Sequence, residues 1–425
     1  MKNILSIFTE RRIAVTLMLG FSSGLPLALS GGTLQAWFAK SNVSLKEIGF
    51  VGLAALPYTF KFVWAPLMDR WVPPFLGRRR GWILICQFLL CAALGSMVLF
   101  TPDTHPKALF FLACLVAFFS ASQDIVIDAY RTDVLHANER PMGAAMAING
   151  YRIAMLVSGG MALVIADVWG WSAAYLSMVA IMGLGTIATF LGPNPEVEIV
   201  PPRRIWDCTV LPFLDFMKRP QAWWILLFIV FYKLGDAFAG ALSQTFLIRE
   251  IQMTLSEIGV MAKFSGFFGT IFGTTAGAVL VVRWGWFRAL LVFGVLQALS
   301  NLVYMILLWT GPNYLVAATA IFVENFCGGM GAAAFTGLIM GLCNIRFSAF
   351  QYALLSSLSA VGRVIVGPMA GVIAHEYGWT AYFIASLVLS VPGLVLLIIL
   401  KGGLEAMTRS MLVSASEEDL VPVTT

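Results

Sequence analysis

The sequence predicts an all-α membrane protein with 12 transmembrane helices in two pseudo-symmetric six-helix bundles. The 425-residue chain is 59% hydrophobic and only 12% charged, about half the charge of an average soluble domain. Its apolar residues gather into runs of roughly 20 residues or more, each long enough as a helix to cross the ~30 Å hydrocarbon core of a bilayer. Motifs of the first half return in the second at a nearly constant offset.

Twelve spans fit, near residues 13–38, 46–68, 82–101, 108–131, 141–168, 172–192, 221–247, 256–282, 287–310, 314–343, 349–374 and 380–400. Arg11-Arg12 precede a run too long for a signal-peptide core, so the pair is expected to anchor span 1. Alternate loops differ in basic content. One set holds Arg11 and Arg12, Arg70 and Arg78–Arg80, Arg140, Arg203 to Arg219, Arg283 and Arg288, Arg346, and Lys401 and Arg409; the other holds Lys40, Lys46, Lys107 and Arg249. The positive-inside rule then expects both termini in the cytoplasm.

Residues 193–220, the longest hydrophilic interior stretch, are expected to form a cytoplasmic linker between an N-terminal bundle, 1–192, and a C-terminal bundle, 221–401. The polar tail 402–425, acidic at Glu417–Asp419, is expected to be disordered. Ser44-Leu-Lys-Glu-Ile-Gly49 opens span 2, and Thr254-Leu-Ser-Glu-Ile-Gly259 opens span 8, 210 residues later. Arg152 before Gly170-Trp-Ser-Ala173 is matched by Arg363 before Gly378-Trp-Thr-Ala381, at offsets of 211 and 208. An even number of spans per half makes the repeats parallel, related by an axis along the membrane normal.

Several function classes fall away. The net charge of +5 is spread over short loops and leaves no nucleic-acid footprint. No CxxC or His/Cys cluster points to metal or disulfides, and His105, His136 and His375 fall near helix ends. No Ser/His, HExxH or glycine-rich phosphate motif points to an enzyme or a cofactor. Asp124 and Asp128 share one helix, whereas an aspartyl protease in a membrane needs its acids on two. A non-transporting receptor is the alternative of another class, but charges at several depths in both halves favour a pathway.

Those charges are Lys61, Asp124, Asp128, Arg152, Lys233, Asp236, Lys263, Glu324 and Arg363; spans 3, 6, 9 and 12 carry none away from their ends. Each costs roughly 2.5–3.5 kcal/mol at the centre of a lipid-facing helix, so each needs water, a partner or a substrate. Asp124, Asp128 and Arg131 recur at i, i+4 and i+7 and share a helix face, while Asp133 points elsewhere. Asp124 and Arg152 lie about 15 Å deep by helical rise, so they can pair. That pair either breaks and reforms in transport or holds two helices together. An acid whose cationic neighbour moves can take up and release a proton, which makes Asp124, Asp128 and Glu324 the proton-coupling candidates. Asp128 is alternatively a gate residue.

Two halves of six spans resemble the major facilitator superfamily. Asp69-Arg70 followed by Gly77-Arg-Arg-Arg80 is similar to that superfamily's signature between spans 2 and 3, although extra residues including Pro73-Pro74 intervene. The resemblance implies a cytoplasmic latch of Asp69, Arg70, Arg78, Arg79 and Arg80. It also implies that spans 1, 4, 7 and 10 line a cavity and spans 3, 6, 9 and 12 face lipid. Gly20-Phe-Ser-Ser-Gly-Leu-Pro-Leu-Ala-Leu29, Phe60-Lys-Phe-Val-Trp-Ala-Pro-Leu-Met-Asp-Arg70, Ser120-Ala-Ser-Gln-Asp-Ile-Val-Ile-Asp128, Tyr232-Lys-Leu-Gly-Asp-Ala-Phe238 and Glu324-Asn-Phe-Cys-Gly-Gly-Met-Gly331 resemble the AmpG-type anhydromuropeptide permeases.

That family implies proton-driven import of N-acetylglucosaminyl-1,6-anhydro-N-acetylmuramyl peptides across the bacterial inner membrane, for peptidoglycan recycling and β-lactamase induction. The substrate's carboxylates need cations: Lys61 and Lys233 first, then Arg152, Lys263 and Arg363. Asp236, one turn from Lys233, either binds or neutralises it. Gln35 and Gln123 are expected to hydrogen-bond sugars, and Tyr151 and Tyr232 to stack on them. Trp37, Tyr58, Trp64, Asn149, Gln244 and Asn325 are further candidates. A monomer in the lipid bilayer is expected, with no cofactor. Another bulky anion, such as acetyl-CoA, is the alternative cargo.

Overall fold

The computed structural model describes residues 10–41, 54, 56–195, 205–219, 221–253, 257 and 261–418. Helices dominate, and no strand occurs among the described residues. Nine helices among them are long and apolar enough to cross a membrane. Two apparent single helices are double: Phe267–Ser300 breaks at Gly285 (φ 76°) and Ser348–Ile399 at Gly378 (φ 80°). Span 2 is in pieces, Leu56–Phe60, a tight turn at Lys61–Val63, and Ala65–Arg70. Split at the two glycines, the long helices account for spans 1 and 3–12, and the described part of span 2 is Leu56–Arg70. The repeated openings of spans 2 and 8, Ser44–Gly49 and Thr254–Gly259, lie largely outside the described residues.

The Gly-Trp repeat has a backbone cause. Gly170 (φ 86°, ψ 166°) joins spans 5 and 6, and Gly378 (φ 80°, ψ 174°) joins spans 11 and 12. Essentially only glycine occupies that region, so both halves turn on the same residue type. Within the first half, Gly20 and Gly24 seat span 1 against Ala147 and Tyr151 of span 5; a Cβ on Gly24 would lie 2.6 Å from the Tyr151 carbonyl oxygen. Gly269 and Gly277 do the same for spans 8 and 10, against Phe322 and Met330. Small residues let helix backbones approach this closely. Gly371 of span 11, by contrast, meets open space.

Span 7 also breaks inside the membrane, into Ala222–Phe231 and Leu234–Arg249. The breaks in spans 2 and 7 fall at Lys61 and Lys233, the lysines expected to meet substrate. Single π-turns interrupt span 5 at Val157–Met161 and span 8 at Ala262–Gly266. The halves meet along spans 5 and 8, where Thr274 donates to Asn149 Oδ1 at 2.6 Å and Asn149 donates to Thr275 Oγ1 at 3.3 Å.

The linker forms a helix, Ile205–Met217, that buries Phe216. Its Asp215 accepts a 3.1 Å hydrogen bond from Gln351 of span 11. The tail differs from expectation. Instead of being disordered throughout, it continues as a helix over Lys401–Glu418. Leu404, Met407 and Thr408 share one face at i, i+3 and i+4. Leu404 is buried, and the Thr408 hydroxyl packs on Gly285 and accepts from the Trp286 N–H at 3.1 Å. Both described chain ends lie at one end of the bundle. Arg11 donates to the Leu191 carbonyl at 2.6 Å, and Arg12 pairs with Glu139 at 3.7 Å. This is the arginine-rich end.

Candidate functional site

A cavity of about 700 Å³ opens between the halves. Arg152 of span 5, Lys233 and Asp236 of span 7, Thr270 of span 8, and Glu324 and Asn325 of span 10 supply most of its polar lining, with Thr336 and Ser359 beside them. Arg152 stands twelve residues from Arg140 and Lys233 eleven from Ala222, so both lie roughly 16–18 Å above the arginine-rich end, near mid-membrane. The break in span 7 makes Lys233 the residue preceding a new helix, with Asp236 in its first turn. An acid there is favoured by the helix N-terminus. Lys233 Nζ donates to Gln297 Oε1 at 3.1 Å, Gln297 Nε2 donates to Asp236 Oδ1 at 2.7 Å, and lysine and aspartate stand 3.6 Å apart. Tyr304 donates to Glu324 Oε2 at 2.5 Å, and Thr270 to Asn325 Oδ1 at 3.3 Å.

A second cluster surrounds the acids of span 4. Asp128 accepts from Arg131 and stands 3.5 Å from Lys61 Nζ. Arg131 donates onward to the Tyr352 hydroxyl of span 11 at 3.0 Å and lies over its ring, 5.7 Å from the centroid. Asp124 takes its hydrogen bond from Ser23 of span 1, at 2.5 Å. The expected pair of Asp124 with Arg152 is absent among the described residues. Equal depth did not fix direction: Tyr151 packs against Gly24 of span 1, which turns the next residue, Arg152, into the cavity.

At the arginine-rich end Asp69 is fully buried. Its Oδ1 accepts from Arg79 Nη2 at 2.9 Å, and its Oδ2 accepts from the Phe350 N–H at 3.0 Å. Phe350 is in the first turn of span 11, where helix N–H groups lack internal partners, so Asp69 caps that helix from the other half. Arg79 Nε donates to Asp133 at 2.7 Å, and Arg78 pairs with the same acid at 3.5 Å. Ser348 accepts from Arg79 at 2.7 Å and donates to Asp133 at 2.6 Å. Arg80 turns away, to the Gly192 carbonyl and Asn194, both at 2.6 Å. Arg70 ends its helix outside this network.

Of the residues expected to meet substrate, Arg152, Lys233 and Asp236 line the cavity. Lys61 instead pairs with Asp128. Gln123 is fully buried, donating to Ser22 at 3.1 Å. Tyr232 is buried, donates to the Leu290 carbonyl at 2.8 Å and stacks on Phe335 with centroids 5.5 Å apart. Gln35 and Tyr151 are half-buried and lie outside the lining. Trp37 stacks on Trp171 in the core. The side chains of Lys263, Arg363 and Gln244 lie outside the described residues. Sequence reasoning passed over Gln297 and Tyr304, both on span 9, and over Asp133, Ser348 and Tyr352. The available signal for span 9 was a glutamine and an asparagine, Gln297 and Asn301, in an otherwise apolar run.

Comparison with known proteins matches this architecture. The model of the Major Facilitator Superfamily fits residues 16–365. The anhydromuropeptide permease of Escherichia coli (strain K12) is 51% identical over 402 residues, which cover 94% of this chain and 82% of that permease. The chain belongs to the major facilitator superfamily and, within it, to the anhydromuropeptide permease family. Putative transporter AmpG 4 of Rickettsia conorii is 35% identical over 409 residues, covering 93% of this facilitator and 98% of that protein. Among solved structures, a bacterial homologue of the iron transporter ferroportin superposes with TM-score 0.69 at 13% identity, covering 93% of this chain and 99% of the other. The proton:xylose symporter XylE gives 0.66 at 12%, covering 94% and 95%. At such identities the likeness is one of fold. As a member of a permease family, this facilitator is a multi-pass membrane transport protein and not an enzyme.

Proposed function

We propose that this facilitator imports N-acetylglucosaminyl-1,6-anhydro-N-acetylmuramyl peptides from periplasm to cytoplasm by alternating access, serving peptidoglycan recycling and β-lactamase induction. The observation that carries this reading is the mid-membrane cavity of about 700 Å³, with cationic Arg152 from one half and Lys233 from the other. Its size falls within the roughly 300–1,000 Å³ of small-molecule sites. Its two cations suit the carboxylates of a stem peptide, and its amide and hydroxyl groups suit sugars. The protein is expected in the inner membrane with the arginine-rich end in the cytoplasm. With the latch of Asp69, Arg78 and Arg79 closed there, the cavity is offered to the periplasm.

Asp124, Asp128 and Glu324 are the acids proposed to couple import to protons. Each proton moving inward across 100 mV supplies about 2.3 kcal/mol. A charged side chain buried this deeply is a functional residue by default. The test is uptake of labelled anhydromuropeptide into proteoliposomes holding this protein alone, with and without an imposed inward proton gradient. Uptake stimulated by the gradient is expected. No uptake by well-folded protein under either condition would sink the substrate and direct the search to other bulky anions.

A further inference from the structure

Gln297 belongs to span 9, which carries no charge away from its ends, yet its amide ends between two ionised groups at the cavity. Its route is made by glycines. A Cβ on Gly328 of span 10 would lie 3.0 Å from Gln297 Nε2, and one on Gly331 would lie 2.9 Å from Gln297 Oε1 and 3.4 Å from Lys233 Nζ. Two glycines of the Glu324–Gly331 stretch therefore leave the gap through which the amide reaches span 7. Gln297 is only 6% exposed, while Lys233 and Asp236 side chains keep 19% and 31% of their surface.

The amide fits in one sense only. Its oxygen faces an ammonium, which only donates, and its nitrogen faces a carboxylate, which only accepts; a flip would lose both hydrogen bonds. Lys233 and Asp236, at i and i+3 on the lip of a new helix, would otherwise close into a direct pair. Charge-assisted N–H···O contacts run about 2.7–2.9 Å. Here nitrogen and oxygen are held 3.6 Å apart, with the glutamine taking one hydrogen bond from each side.

We propose that Gln297 is a positioning residue for the substrate's carboxylates: entering between Gly328 and Gly331, it keeps the Lys233 ammonium from closing onto Asp236 and leaves it open to a stem-peptide carboxylate. This rests on the muropeptide reading and deepens it. It assigns recognition of the peptide, as distinct from the sugars, to the junction of spans 7, 9 and 10.

The experiment uses two probes in proteoliposomes: the anhydro-disaccharide bearing a tetrapeptide, and the same disaccharide without peptide. Wild type is compared with Q297L, Q297N, G331A and K233M. A probe that binds without being carried is read by its inhibition of the other's uptake. The KM for the peptide-bearing probe, relative to that of the peptide-free probe, should rise about tenfold in Q297L, the loss of one hydrogen bond to a charged group. G331A, whose new methyl displaces the amide, should move the ratio the same way, as should K233M. Q297N, one methylene short, should fall between. If Q297L does not fold, G331A and Q297N decide. A wild-type ratio in the glutamine and glycine variants while K233M shifts it would overturn the proposal, as would an equal loss for both probes. Wild type taking up neither probe is a separate outcome and overturns the muropeptide reading itself.

Discussion

Arg79 of the first half and Ser348 of the second are joined by a 2.7 Å hydrogen bond, through a guanidinium that also holds Asp69 and Asp133. Replacing Ser348 by alanine removes that acceptor and the donor to Asp133, but leaves the ion pairs of the first half intact. Hydrogen bonds to charged groups are worth about 1.5–3 kcal/mol each. S348A should therefore fold and shift the population toward opening at the arginine-rich end. Spin-label distances across that end are expected to gain a longer component; an unchanged distribution would mean that Ser348 does not hold the halves.

Arg79→Ala is expected to be far more harmful, because Asp69 and Asp133, with almost no exposure, lose their shortest ion pairs and keep only Arg78, at 4.0 and 3.5 Å. Removing one partner of a buried ion pair costs about 3–5 kcal/mol. Arg79→Lys should rescue it only in part, since an ammonium cannot reproduce the planar fork that meets two acids and a hydroxyl. Thermal unfolding in detergent checks both: the melting temperature should fall in each, and further for alanine.

Asp124→Asn and Glu324→Gln keep an acceptor oxygen for Ser23 and Tyr304. Both variants should fold. The one that carries the proton should lose gradient-driven accumulation while still exchanging substrate across the membrane. Uptake measured with a gradient, beside counterflow without one, separates coupling from binding. Loss of counterflow as well would assign that acid to the substrate path instead.

Gly170→Ala and Gly378→Ala place a side chain at φ 86° and φ 80°. Nothing but the local backbone opposes the methyl at either position, since no atom beyond the adjacent residues lies within 4 Å of the added carbon. Each should cost about 1–3 kcal/mol from the backbone alone. Similar drops in melting temperature are expected for the two, because they are the same turn in two halves.

The fold was legible because a membrane leaves few solutions: long apolar runs must be helices, and their charges cannot face lipid. The Gly-Trp turns were legible as a repeat before their φ angles were known. The ion cluster around Asp69 was half legible. Asp69, Arg78 and Arg79 stand in a recognisable loop, whereas Asp133 is one acid on the far face of span 4, and Ser348 is a neutral residue with no pattern around it. Gln297 was hidden for the same reason, since a search for ionised groups passes over an amide. Depth along a helix can be counted from sequence, but azimuth depends on packing. Asp124 and Arg152 therefore matched in height without meeting. The tail helix was missed because its charged residues outweigh the short face of Leu404, Met407 and Thr408.

In the cluster around Asp69, the described ions that pair with one another all lie on one side of the seam. Asp69, Arg78, Arg79 and Asp133 belong to the first half, and the second half contributes the Arg346 carbonyl, the Ser348 hydroxyl and the Phe350 N–H. Parting the halves at this cluster therefore separates none of these cations from its anion. The electrostatic cluster travels intact with its own bundle, and what breaks is a short row of hydrogen bonds that incoming water can replace one for one. A seam with arginine on one lip and aspartate on the other would have to strand both in every cycle, at a cost that grows as the local dielectric falls. Keeping the ions on one lip makes the seal firm when dry and cheap to wet, which is what a part that must open and shut at every turnover requires.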